Sequence, residues 1–348
     1  METDPLPDAR IALPKWSPPV YALNTWDDLC GTDDWDNRTQ RRSMTSPPKN
    51  KFPLSDACDS HVHIVGPTSR FPQSDERHYT AGFANMETLR DLATPTGVSR
   101  YVLVQPSFYG TDNTCALETL EVLKGNGRGV VVIDTAAVTS AQLEEYDRRG
   151  VCGVRLNFYS KVSPLASAGF SNALQQFINV LPGAKWHAEV IATLPTLVSI
   201  AETIRHSTLP IVIDHYGLPE DAAPDSNLGR TLLDLLRLPH VWMKLSAPYR
   251  VVHNPVATIP PAEWLAALLE TAPDRCVWGS DWPYAPSRKD QTDKSVAIPY
   301  RNISYPQALA DFIDALPDAA LAERILVSNP ARLYGFGLAQ TAPRGSAA

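Results

Sequence analysis

The sequence predicts a (β/α)8 barrel, and three observations carry that prediction. Eight short, Val/Ile-rich runs alternate with helix-like segments over about 290 of the 348 residues, the count and span of one such barrel. The runs are apolar on both faces, as strands of a covered parallel sheet are. An open doubly wound sheet is the other solution, but no G-x-G-x-x-G follows an early run.

In chain order, residues 1–50 are rich in Pro, Asp, Asn and Thr, with Trp16, Trp26 and Trp35 interspersed and no lasting period. They are expected to form an irregular extension, with a linker around Arg41-Arg42 and Pro47-Pro48. The barrel is expected over 51–340 and a disordered tail over 341–348. Strands are predicted at 57–65, 100–106, 129–134, 151–157, 185–192, 210–215, 241–246 and 275–281. Helices are predicted at 86–97, 113–125, 140–149, 170–181, 194–207, 227–237 and 261–272, with a last helical region over 305–328. Asn113-Thr114 and Thr139-Ser140 are read as helix caps.

The first strand holds the pattern around which the chain is organised. In Cys58-Asp59-Ser60-His61-Val62-His63, a strand's period of two turns His61 and His63 to one face. Two imidazoles on a buried face are either a satisfied core pair or the start of a site. In a barrel the C-terminal strand ends form one rim. Those ends carry His61 and His63, then Gln105, Asp134, Arg155 with Asn157, His187 and Glu189, His215, Ser246 and Asp281. His61, His63, His215 and Asp281 together suit a zinc or manganese ion, or a metal-free general-base site. His187 and Glu189 are read as interior residues of the fifth strand, His187 as structural.

Composition narrows the partners. The net charge is −7 and the basic residues are scattered, which argues against nucleic-acid binding. No apolar run approaches the ~18 residues of a membrane span, and Met1-Glu2-Thr3-Asp4 does not begin a signal peptide. Five widely spaced cysteines without a Cys-x-x-Cys pair point to reduced thiols in the cytoplasm. A small-molecule substrate is expected, and an oligomer is left open by the aromatic residues of the extension.

Seven segments resemble one family: DSHVH (59–63), VQPSFYGTDN (104–113), GVRLNF (153–158), DHYG (214–217), KLSAPYR (244–250), WGSDWPY (278–284) and NPARLYGF (329–336). They are similar to the amidohydrolase superfamily, and within it to the lactonase branch of the pyrone dicarboxylate lactonases. HIVGPTSRFP…ERHYTAG (63–82) is similar to that branch's first loop. The resemblance covers 54–336 and implies a hydrolase that opens a lactone ring. It implies that Asp281 is the general base for water and that His61, His63 and His215 act at the carbonyl. It also implies that no metal is needed; were one bound, His61, His63 and Asp281 would hold it. Arg155 and Arg250 match carboxylate-binding arginines and Tyr79 a site tyrosine, while Gln105 and Asn157 complete the expected substrate-binding set. Two departures stand out: Lys161 replaces a third arginine, and Ile191 replaces a tyrosine of the fifth strand. With Tyr216 and Tyr249 adding aromatic surface, a less acidic, more aromatic lactone or ester is expected. The alternative is a zinc- or manganese-dependent member of the same superfamily, such as a decarboxylase of an aromatic acid.

Overall fold

A computed structural model describes residues 54–159, 167–183, 185–285 and 293–337, all within one compact unit, Met44–Ala348. The expected extension, the tail and Lys161 lie outside the described residues. Eight parallel strands run in sequence order: β1 Ala57–Val62, β2 Val98–Val104, β3 Gly127–Val131, β4 Val151–Asn157, β5 His187–Ile191, β6 Ile211–Ile213, β7 Val241–Ser246 and β8 Cys276–Gly279. This is the (β/α)8 barrel that the alternation predicts. The strands are mostly shorter than their apolar runs because the polar rim residues leave the ladder to form loops.

Helices fill each crossover: α1 Met86–Ala93, α2 Thr114–Leu123, α3 Ser140–Arg148, α4 Ser167–Val180, α5 Leu194–Ser199, α6 Ala201–Arg205, α7 Asn227–Leu236, α8 Ala262–Thr271, α9 Tyr305–Asp314, α10 Ala319–Glu323 and α11 Asn329–Tyr334. Thr139 caps α3 by accepting from the Gln142 amide at 3.2 Å. Asn113 does not cap α2. Its side chain instead exchanges two hydrogen bonds with the backbone of Val132, at 2.8 and 3.0 Å, and so fixes the segment after β3. The helix expected over 194–207 is broken at Ile200, whose backbone leaves the helical region (φ −108°, ψ 13°). The region over 305–328 is likewise in pieces. Leu316-Pro317 ends α9, Asp318 caps α10 at the Leu321 amide, and a π turn at Arg324–Ser328 runs into α11.

The barrel interior changes character along its axis. One apolar cluster joins Cys58, Val102, Val130, Cys152, Val212, Trp242 and Val277 with Tyr334 and Phe336. Seven of the eight strands meet in it, which only the interior allows, and Tyr334 and Phe336 plug its lower end. Above it the lining becomes ionic and then imidazole-rich. Helices cover the outer faces with Leu- and Ile-rich surfaces, and none of the described helices is long and apolar enough to cross a membrane.

The seam between the last strand and the first lies at the rim. Asp281 N–H donates to His61 O at 2.9 Å, and His63 N–H donates to Trp282 O at 2.8 Å. Gly279 lets the strands approach this closely, since a Cβ there would stand 2.6 Å from the Cβ of His61. Gly279→Ala is therefore expected to lower stability by about 1–3 kcal/mol through forced separation of β1 and β8. Gly125→Ala, where a Cβ meets nothing within 4 Å, should stay within about 0.5 kcal/mol of the parent. Denaturant unfolding of the pair checks this, and equal midpoints would contradict it.

Candidate active site

The polar residues of the rim gather on the carboxylate of Asp281. His63 Nε2 lies 3.2 Å and His61 Nε2 3.5 Å from Oδ1, while Oδ2 accepts from the Tyr249 hydroxyl and, at 3.0 Å, from Arg250 Nε. Burial alone would raise this carboxyl, but Arg250 and the hydrogen bond with His63 outweigh it and hold it well below the usual range. Asp281 is thus ionised at neutral pH. Asp281 and His215 both have left-handed backbones (φ 62° and 51°), a conformation that costs a non-glycine residue about 1–2 kcal/mol. The seam bond from Asp281 N–H keeps the first of these in place.

The three imidazoles are held differently. His63 donates from Nδ1 to the Val104 carbonyl at 2.7 Å. A carbonyl only accepts, so Nδ1 carries the hydrogen. Its Nε2 faces the Asp281 carboxylate at 3.2 Å. His215 Nδ1 is 2.8 Å from Ser246 Oγ, and its Nε2 has no hydrogen-bond partner among the described residues. Burial pushes His215 down to about 4 and His61 well below its ordinary value, so both rings are neutral. The ring centroids of His63 and His215 each lie 4.9 Å from that of His61.

Beneath this layer lies an ionic one. Lys244, on β7, is fully buried; it donates to Glu189 of β5 and lies 3.7 Å from Asp214 Oδ1 and 3.2 Å from His61 Nδ1. The motif around Lys244 is legible in sequence, but the residue's inward position and its partners are not. Glu189, expected only as an interior residue, is its main counter-charge. His187 fills the space of a missing side chain, since a Cβ on Gly153 would stand 2.5 Å from its ring, and it packs edge-on against Tyr334. Its reading as structural fits that packing.

Above the imidazoles opens a pocket of about 800 Å3, part of it solvent, lined by His63, Tyr79, Phe108, Arg155, Asn157, Tyr159, Ile191, Arg250 and Tyr300 among others. Arg155 lies against the backbone just past β2, donating to Gln105 O at 3.0 Å. Burial raises Tyr79 to about 12, so it faces the pocket as a neutral phenol. Three sequence candidates stand elsewhere. Gln105 turns its amide to the Asp112 carbonyl at 2.7 Å and does not line the pocket. Asp134 caps its own turn at the Ala136 amide and lines a separate hollow. Tyr216 is buried in the outer core, so the aromatic wall comes from Tyr79, Phe108, Tyr159 and Tyr300 instead.

Among the described residues, two groups of side chains have ligand atoms mutually within 4.8 Å: His61, His63 and Asp281, and His61, Asp214 and His215. The first suits a divalent ion by donor type, and the Val104 bond leaves the His63 Nε2 lone pair free for one.

The depression of His215 has a consequence for stability. Between pH 6.5 and about 4 the unfolded chain protonates this ring and the folded one does not. Stability due to His215 is therefore complete above 6.5 and falls as pH drops through that window, by about 3 kcal/mol in all. His215→Gln should flatten the decline in unfolding midpoint from pH 7 to pH 4.5; an unaltered decline would contradict this.

A model of the Amidohydrolase family matches residues 58–336. A 4-sulfomuconolactone hydrolase of Hydrogenophaga intermedia is 32% identical over 285 residues, spanning 80% of this chain and 88% of its own. A 2-pyrone-4,6-dicarboxylate hydrolase of Comamonas testosteroni is 30% identical over 303 residues, spanning 83% and 93%. Among solved structures, a Pseudomonas putida protein proposed to be a 2-pyrone-4,6-dicarboxylic acid hydrolase superposes with a TM-score of 0.63 at 29% identity, over 82% of this chain and 99% of that one. From its first strand to the loop that ends its last helix, this chain belongs to the amidohydrolase family.

Proposed function

We propose that the chain hydrolyses a lactone, a carboxylated ring with an aromatic or unsaturated body, and that Asp281 is the general base. The observation that carries this reading is the convergence of His61 and His63 on Oδ1 of an ionised, buried carboxylate. The activities of the two relatives, both lactone hydrolases, support the reaction class. Asp281 takes a proton from water as the oxygen adds to the ester carbonyl carbon. Imidazole N–H groups donate to the oxyanion that forms. Collapse breaks the ring C–O bond, and the proton on Asp281 passes to the departing oxygen. One water and one lactone give one hydroxy acid, or from an enol lactone the enol of a keto acid, and the carboxylate returns.

The pocket supports the substrate class. Arg155 and Arg250 offer cations for a carboxylate, while Phe108, Tyr159, Ile191 and Tyr300 offer flat apolar surface. Arg250 Nε is engaged by Asp281 in the ligand-free chain. A substrate carboxylate competes for that guanidinium and weakens its hold on Oδ2. The base gains proton affinity as its strongest counter-cation is shared. A buried, thiol-bearing interior (Cys58, Cys115, Cys152 and Cys276, none paired) suits a reducing compartment, and the cytoplasm is our reading.

A second reading rests on the His63–Val104 bond, which presents Nε2 to a cation as readily as to a proton. His61, His63 and Asp281 would then hold zinc or manganese, which when bound supplies Lewis-acid polarisation of a carbonyl or carboxylate. The site would in that case suit a metal-dependent hydrolase or a decarboxylase of an aromatic acid.

A panel of lactones with and without a ring carboxylate tests the proposal. Turnover is expected for the carboxylated, unsaturated members. Asp281→Asn should lower kcat at least about 1,000-fold with KM within about threefold. Arg155→Met should raise KM for the acidic members about tenfold or more and leave uncharged lactones unaffected. Full turnover by Asp281→Asn would end the general-base assignment.

A further inference from the structure

We infer that Lys244 is a positioning residue: its ammonium makes Nδ1 of His61 a hydrogen-bond acceptor and so keeps the imidazole hydrogen on Nε2, where it faces the reaction centre. The use of that N–H rests on the lactonase reading above; the tautomer does not. Both side chains are fully buried, on β7 and β1, and Lys244 Nζ stands 3.2 Å from Nδ1 in hydrogen-bonding alignment. An ammonium has three N–H donors and no lone pair, so an aligned nitrogen at that distance must accept.

Two carboxylates compete for the same nitrogen. Asp214 Oδ1 lies 3.3 Å and Glu189 Oε1 3.6 Å from Nδ1, and either would favour a hydrogen there. Neither takes it. Glu189 Oε1 and both oxygens of Asp214 accept no hydrogen bond among the described residues. Their charge instead surrounds the lysine, through the Glu189 Oε2 bond and the approach of Asp214 at 3.7 Å. The carboxylates thus fix the ammonium, and the ammonium fixes the ring.

At the other side of the ring Nε2 is buried without a partner, 3.5 Å from Asp281 Oδ1. A buried donor left unpaired is unfavourable until an acceptor arrives, and the carbonyl oxygen of a bound ester is one. The arrangement reverses the usual one, in which a carboxylate on Nδ1–H leaves Nε2 bare as a base or a metal ligand. While Lys244 donates, His61 can give a hydrogen bond from Nε2 and cannot ligate a metal there. It keeps its hydrogen throughout, since the proton from water goes to Asp281.

The test reads the tautomer directly. In protein carrying 15N-histidine, with His61 assigned by the signal lost in His61→Gln, Nε2 should bear the hydrogen at neutral pH and Nδ1 should be bare. A hydrogen on Nδ1 overturns the inference. This readout needs no substrate, so it stands or falls apart from lactone hydrolysis. Lys244→Met combined with Glu189→Gln removes both charges of the buried pair and leaves one buried carboxylate, Asp214, uncompensated instead of two. In that variant the hydrogen should shift toward Nδ1, and kcat should fall about 100-fold with KM within about threefold. Lys244→Arg, which keeps a donor, should retain the Nε2–H form. An unchanged tautomer in the folded double variant overturns the inference, and if it does not fold the wild-type tautomer alone decides.

Discussion

Two backbone hydrogen bonds close this barrel, and they are also the bonds that bring its chemistry together. Asp281 N–H to His61 O and His63 N–H to Trp282 O join the first strand to the segment after the last. Each joins residues more than two hundred positions apart, and each involves a side-chain candidate for catalysis. Asp59, behind the seam, secures it further by accepting from the amides of Ser280 and His61 and from the Tyr305 hydroxyl. Closing the sheet therefore sets the distance between Asp281 and the imidazoles without a separate device. The close contact at Gly279 is the steric condition for that closure.

The interior above the apolar plug shows why His61 and His215 can be neutral in so charged a place. Lys244 and Glu189 form a buried pair with Asp214 beside it, and together they offset much of each other's field. Removing Lys244 alone would leave two buried carboxylates uncompensated, a change of about 3–5 kcal/mol in comparable sites. Above that layer, burial lowers His61 and His215, while Asp281 stays charged through Arg250 and its hydrogen bond with His63. Neutral rings beside an ionised carboxylate are the protonation pattern that water activation by that carboxylate requires.

Much of this is legible in sequence because strands have a short period and barrels put function at strand ends. All eight strands lie where Val/Ile runs place them, and the His-x-His pair, His215 and Asp281 meet as rim position predicts. What escapes is set by contacts the linear pattern does not encode. Lys244 in KLSAPYR reads as one more polar strand residue until its distance to His61 is known. Tyr249 looks like pocket surface, yet it is fastened to Asp281, and Gln105 turns away to bind its own loop. The break at Ile200 and the π turn at Arg324–Ser328 fall in apolar stretches whose helical period runs straight through them.

The most direct test of the central claim is lactone ring opening by protein stripped exhaustively of divalent ions, followed alongside metal content by mass spectrometry. Undiminished turnover of a carboxylated lactone is expected at far less than one metal per chain. Loss of turnover on stripping, restored by one zinc or manganese per chain, would contradict it and make the imidazoles ligands.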